Sequence, residues 1–309
     1  MGSTQVTGAS VNEIALSVAG VAPALDTGVQ ECWMNLDGAR MRYLRAGSGP
    51  ALVLLHGLLG YSFSWRYTMP ALAPYATVYA LDTLGAGFSD RPQIDHSMRA
   101  TALRVLQFVE NLGLSSFDLL GTSRGGAVAM CAAAEGMNSG KPRVQRLILV
   151  APVNPYSTHG RWLAPFAGSR WGKPLARVVL DKTAFLFPYF HKRMYGDRSR
   201  IPPGTLEGYK APLAIPGLFE HALSIVSTWT PDLRELELLL PKLASIPTLL
   251  MWGDKDPAVY VSSLKPLASF FPNSQSIVFP GIGHLPYEEC PEEFNEALVN
   301  FLTRTGTRD

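Results

Sequence analysis

Cysteine is scarce in this chain: three in 309 residues, Cys32, Cys131 and Cys290, none spaced with another Cys or a His as metal ligands are. So sparse and odd a set excludes a disulfide scaffold and points to reduced thiols in a reducing compartment. Charge of one sign is lacking too. With 27 Lys+Arg against 25 Asp+Glu the net charge is +2, and no basic stripe interleaved with aromatics suggests a nucleic-acid binder. No Lys or Arg precedes Arg40, so the basic start of a secretory leader is missing. The longest apolar runs, such as Leu147 to Val150, fall far short of the roughly 20 residues that cross a bilayer. No Gly-x-Gly-x-x-Gly opens the first strand–helix turn, which argues against a dinucleotide cofactor. Internal repeats and low-complexity tracts are also missing. These absences lead us to expect a cytoplasmic protein without cofactor, nucleic-acid partner or stable membrane insertion, working as a monomer or homodimer.

What the chain does have is apolar residues, 47 % against 17 % charged, enough for a deep core. Trp33–Asn35 and Met41–Leu44 read as half-buried strands around an Asp37–Gly38 turn, a hairpin signal. Ala51–Leu55, Thr77–Leu81, Phe117–Leu120 and Leu147–Val150 are short, continuous apolar runs bounded by turn residues. Such runs suit a parallel sheet buried on both faces. Helical spacing marks Met98–Leu112, and an Ala-rich stretch covers Arg124–Met137. Pro247–Trp252 and Ser276–Phe279 continue the strands, with helices expected at Val261–Phe271 and Pro291–Leu302. Strand–helix alternation predicts an α/β fold. Residues 152–230 break the rhythm with many prolines and 12 aromatics, among them Trp162, Trp171, Phe185, Phe187, Phe190 and Trp229. We therefore divide the chain into a lead-in (1–30), a core in two halves (31–151 and 231–309) and an inserted helical cap (152–230).

The sharpest local signal is Gly121–Thr122–Ser123–Arg124–Gly125–Gly126, which follows an apolar strand and opens a helix. Gly-x-Ser-x-Gly at that junction is the pattern of a nucleophile elbow, whose flanking glycines are required because a Cβ would strike the neighbouring strand or helix. A serine hydroxyl needs a base to take its proton and a carboxylate to orient that base. Both follow in order. Trp252–Gly253–Asp254–Lys255–Asp256–Pro257 ends one strand, and Gly281–Ile282–Gly283–His284 follows the next. His284 is the candidate base. Asp256 sits far enough past its strand to turn toward an imidazole, while Asp254 is the alternative acid or a turn-stabilising residue. An oxyanion hole would take the N–H of Arg124, after the nucleophile, and that of Leu58 in the His56–Gly60 loop.

On these residues the chain resembles the α/β-hydrolase superfamily, specifically its capped, serine esterase-like branch. The resemblance runs from about residue 31 to the end and includes Asp82–Ser89, similar to the family's Asp-x-x-Gly-x-Gly-x-Ser turn element. It implies a mostly parallel central sheet flanked by helices, with the cap inserted after the sixth strand. It also implies a triad of Ser123, Asp256 and His284, because the fourth residue of Gly-x-x-Asp is the family's acid. Haloalkane dehalogenases and epoxide hydrolases share this layout but place a carboxylate where this chain has Ser123. Carbon–carbon hydrolases keep the serine, yet many carry Gly-Pro-Gly and a Trp where this chain has Leu58–Leu59 and Leu285. The expected activity is carboxylic-ester hydrolysis on a small-molecule ester, with lactone, thioester or carbon–carbon substrates as variants and a non-enzymatic small-molecule receptor as the rival class.

Residues 152–230 hold ten Lys/Arg against four Asp/Glu, leaving the rest of the chain at −4. That excess could attract anionic substrates or membrane surfaces; a solvated outer face is the plainer expectation. The aromatics there are expected to line an apolar acyl pocket, with some forming the cap's own core.

Overall fold

The computed structural model describes residues 28–138, 140–157, 166, 169 and 171–304. The expected lead-in falls almost wholly outside the described residues, and so does Trp162. The strands are β1 (Gln30–Leu36), β2 (Ala39–Ala46), β3 (Ala51–Leu55), β4 (Thr77–Leu81), β5 (Ser116–Thr122), β6 (Arg143–Val150), β7 (Thr248–Gly253) and β8 (Ser274–Phe279). They form one sheet in the order β1-β2-β4-β3-β5-β6-β7-β8. β1 and β2 pair antiparallel across a two-residue turn. Asp37 and Gly38 there have φ of 54° and 77°, the left-handed pair that a type I′ hairpin demands. β2 pairs antiparallel with β4, and β3 to β8 are parallel.

Every residue of β3 is buried, and side-chain alternation divides them between two cores. Ala51, Val53 and Leu55 face one side, with α2 (Met98–Asn111) and α3 (Arg124–Glu135). Leu52 and Leu54 face the other, with Met69 and Leu72 of α1 (Thr68–Leu72) and Phe294, Leu298 and Phe301 of α9 (Pro291–Arg304). Each such fully buried Leu or Val stabilises the fold by roughly 1.5–3 kcal/mol. The Ser97 hydroxyl caps α2 by accepting from the Ala100 N–H at 3.2 Å.

Between β6 and β7 lie α4 (Gly172–Thr183), α5 (Phe187–Lys192), α6 (Thr205–Lys210) and α7 (Leu218–Leu239). α7 runs unbroken through position 230 with Pro231 inside it. The drop in aromatics at 230 therefore marks a change within one helix, whose last turns bury Leu233 and Leu236 in the core. The single helix expected over Val261–Phe271 is a one-turn 3-10 segment, Val261–Ser263, followed by the short α8 (Leu264–Ala268). Pro266 explains the break: it has no N–H to continue the helical bonding from the preceding turn, and it falls in the first turn of α8, where that donor is not needed. Among the described residues no helix is long and apolar enough to cross a membrane.

The chain runs from β3 to β4 on one flank of β3 and returns to β5 on the other. Strand order reverses there, and in open α/β sheets ligands bind outside the carboxyl ends of the strands at such a point. Leu55 pairs with Gly121 across β3 and β5, so the loop opening at His56 and the turn at Ser123 emerge side by side.

Candidate active site

Ser123 sits between β5 and α3 at φ 52°, ψ −121°, a conformation that costs a non-glycine residue about 1–3 kcal/mol. The surroundings enforce it. The Ser123 N–H donates to Val150 O at 2.9 Å, and its carbonyl accepts from the Gly126 and Val153 N–H groups at 3.0 and 2.9 Å. A Cβ on Gly121 would lie 2.2 Å from Gly125 O, and one on Gly125 would lie 2.4 Å from His56 O. Only glycine lets strand, elbow and helix approach this closely. The Ser123 side chain is left half-buried, at the wall of a cavity of about 410 Å³.

His284, in the loop after β8, opens on the same cavity. Its Nδ1 lies 2.7 Å from Asp256 Oδ2. An ionised carboxylate only accepts, so Nδ1 carries the proton and Nε2 keeps its lone pair. Asp256 has no exposed side-chain surface, and its other oxygen accepts from the Ala258 and Val259 N–H groups at 2.8 and 2.9 Å. Asp254 is exposed and accepts from the Gly281 N–H at 2.7 Å, closing the turn below the histidine loop. We expect Asp256→Asn to lower kcat by about 10³- to 10⁴-fold, and Asp254→Asn by less than about tenfold. Steady-state kinetics on both variants would exchange the two roles if the order came out reversed.

The loop after β3 lies against the serine: a Cβ on Gly57 would be 3.1 Å from Ser123 Cβ. Its carbonyl accepts from His56 Nδ1–H at 2.8 Å and from the Gly60 N–H at 3.1 Å. In a trans peptide the N–H points opposite the C=O, so pinning Gly57 O fixes the direction of the Leu58 N–H. His56 Nε2 in turn accepts from the Thr83 N–H at 3.2 Å. Burial holds the His56 imidazole below its ordinary pKa, which keeps it neutral for this double role. Among the described residues the N–H groups of Leu58 and Arg124 donate to no other protein group. The Arg124 guanidinium is buried away from water, bonded to His96 O at 2.6 Å and Thr101 Oγ1 at 3.2 Å, and burial lowers its pKa to about 10.

Phe187, Phe190 and Trp229 line the cavity, whereas Trp171 and Phe185 do not and stand exposed. Ser64, His191, Tyr209 and Tyr287 also line it, and sequence patterns do not single them out. Behind this wall lies a buried ion pair that sequence reading also missed: Arg66 NH1 and NH2 reach the two oxygens of Glu288 at 2.8 and 3.0 Å. Tyr195 OH donates to the same carboxylate at 2.5 Å, and Tyr209 OH also donates to it. Glu289 accepts from the Gly283, Gly196 and Asp197 N–H groups at 2.8, 3.0 and 2.8 Å. The one sequence clue is a pair of glutamates within five residues of His284 in an otherwise apolar stretch.

A family model described as the alpha/beta hydrolase fold matches residues 50–291. The chain belongs to that family. It is a hydrolase on a scaffold that serves many substrates. This α/β-hydrolase is 29 % identical over 282 residues to haloalkane dehalogenase 2 of Mycobacterium tuberculosis (strain ATCC 25618 / H37Rv), covering 86 % of this chain and 93 % of that one. It is 38 % identical over 134 residues to N-formylmaleamate deformylase of Pseudomonas putida, covering 43 % of this chain and 48 % of the relative. A crystal structure of a membrane phospholipase A, titled a bacterial virulence factor, superposes with a TM-score of 0.74 at 25 % identity, covering 96 % of this chain and 92 % of the other.

Proposed function

We propose that this hydrolase cleaves carboxylic esters through an acyl-enzyme. The observation that carries the reading is the buried Asp256–His284 pair at 2.7 Å, on a cavity whose wall also holds Ser123 on its strained elbow. Ser123 Oγ attacks the ester carbonyl while His284 Nε2 takes its proton. Asp256 holds the tautomer and stabilises the imidazolium. The Leu58 and Arg124 N–H groups donate to the oxyanion, and its collapse expels the alcohol, protonated by His284. Water, deprotonated by the same imidazole, then attacks the acyl-serine and releases the acid.

The serine also sets this reading against dehalogenation, the activity named for one relative. Displacement of halide by an alcohol would leave an ether on the enzyme, which water does not cleave. Among the described residues lining the cavity there is no Lys, Arg, Asp or Glu, and the cap contributes Phe187, Phe190 and Trp229. A neutral ester with an apolar acyl group fits such a wall better than a substrate bearing free carboxylates. The test is stoichiometric trapping by a fluorophosphonate together with turnover across p-nitrophenyl esters of graded acyl length. We expect label on Ser123 and a preference for medium or long acyl chains. Label elsewhere, or no turnover on any member, would overturn the proposal.

A further inference from the structure

Of the fifteen large apolar side chains exposed among the described residues, eight lie between positions 166 and 190. They are not scattered. Leu175, Val178, Val179 and Lys182 recur at spacings of three and four along α4 and so share one helix face, and Trp171 stands immediately before the helix. Leu175 is 55 % exposed and Trp171 75 %, and Phe185, just past the helix, is 76 % exposed. On the opposite face of α4, Arg177 pairs with Glu220 of α7. A helix facing only water shows the reverse arrangement, with its apolar stripe inward. The ridge continues through Tyr189 to Phe190, which is 52 % exposed and also lines the catalytic cavity.

Charge indicates what the ridge meets. Between Trp171 and Arg193 the sequence carries five Lys/Arg and one Asp, with Lys182, Lys192 and Arg193 exposed beside the apolar stripe. The sequence outside 152–230 is net −4, so a negatively charged surface attracts this face and repels the rest, orienting the molecule. An apolar stripe of Trp, Leu, Val and Phe rimmed by Lys and Arg is the composition of helices that lie in a membrane interface.

We propose that this face docks on an anionic phospholipid bilayer, with α4 in the headgroup layer and the cavity mouth at Phe190 turned toward the acyl chains. That the lipid also supplies the ester rests on the hydrolase reading above; the docking itself does not.

The experiment is co-sedimentation of the full chain, carrying Ser123→Ala to prevent turnover, with phosphatidylcholine vesicles and with vesicles containing phosphatidylglycerol. We expect at least about tenfold stronger partitioning onto the anionic vesicles, weakened by salt. K182E/K192E/R193E is expected to lose about tenfold or more of that preference, and L175S/F185S to lose binding to both lipids. In the Ser123 background both variants should keep the wild-type melting temperature and turnover of a short soluble ester. No vesicle binding, or equal binding to both lipids that neither variant changes, would overturn the proposal. So would a vesicle-free dimer that L175S/F185S dissociates, since a second copy would then cover the face. Vesicle binding without any esterase activity would sink the hydrolytic proposal alone.

Discussion

Ser123→Ala should lower kcat for an ester by about 10⁴-fold or more while leaving the fold intact. The chemical loss follows from the division of labour at the site. On the proposed mechanism no acyl-enzyme forms without Oγ, and what would remain is the binding and polarisation supplied by the cavity and the Leu58 and Arg124 N–H groups. At roughly 1.4 kcal/mol per factor of ten, the loss amounts to more than about 5 kcal/mol of barrier. The fold should be indifferent because the bonds holding the elbow are backbone bonds, from Ser123 N to Val150 O and from Gly126 N and Val153 N to Ser123 O. Alanine at φ 52° is strained about as much as serine, so the melting temperature should move by no more than a few degrees. The variant therefore separates chemistry from folding. Turnover within tenfold of wild type, at unchanged stability, would mean that another nucleophile does the work.

Much of the scaffold was legible because it is punctuated. β3 and β4 have the bounds expected from their apolar runs, since each is buried throughout and flanked by turn residues. β1 and β8 extend beyond the segments expected. They are edge strands with exposed positions, so polar residues there do not break the strand but do hide its length. The elbow was visible because sterics force glycine at 121 and 125, and Asp256 and His284 because each follows a strand into a loop. Contacts without such local pattern could not be read. Arg66 meets Glu288 across 222 residues, and nothing in the composition of either segment says so. The aromatics of the insert were legible as a group and not one by one: Phe187 and Phe190 line the cavity while Phe185, two residues earlier, faces outward. Helix phase decides this, and three consecutive short helical segments reset that phase between 172 and 192.

Glu288→Gln should destabilise this protein by about 3–5 kcal/mol at neutral pH, because it strands a buried arginine. Glu288 and Arg66 have side chains 0 % and 4 % exposed, so neither can turn to water when its partner is lost. The pair also ties the insert to the core: Tyr195 and Tyr209 donate to the carboxylate from the insert, and Arg66 NH2 donates to Thr205 Oγ1 at 2.9 Å. Burial alone would raise the Glu288 pKa; the Arg66 guanidinium and the hydrogen bonds from Arg66, Tyr195 and Tyr209 outweigh it and hold the carboxyl below its ordinary value. A carboxyl with a depressed folded pKa stabilises the fold above its unfolded pKa, near 4.3, and loses that contribution as pH falls through the folded value. Denaturant titrations should therefore find the gap between wild type and Glu288→Gln widest at pH 6–7 and narrowing below about pH 4. Arg66→Met/Glu288→Leu, which removes both charges, should recover much of the single-variant loss. A gap that stayed constant from pH 7 to pH 3, or a double variant worse than the sum of the singles, would show that packing rather than the ion pair holds the insert to the core.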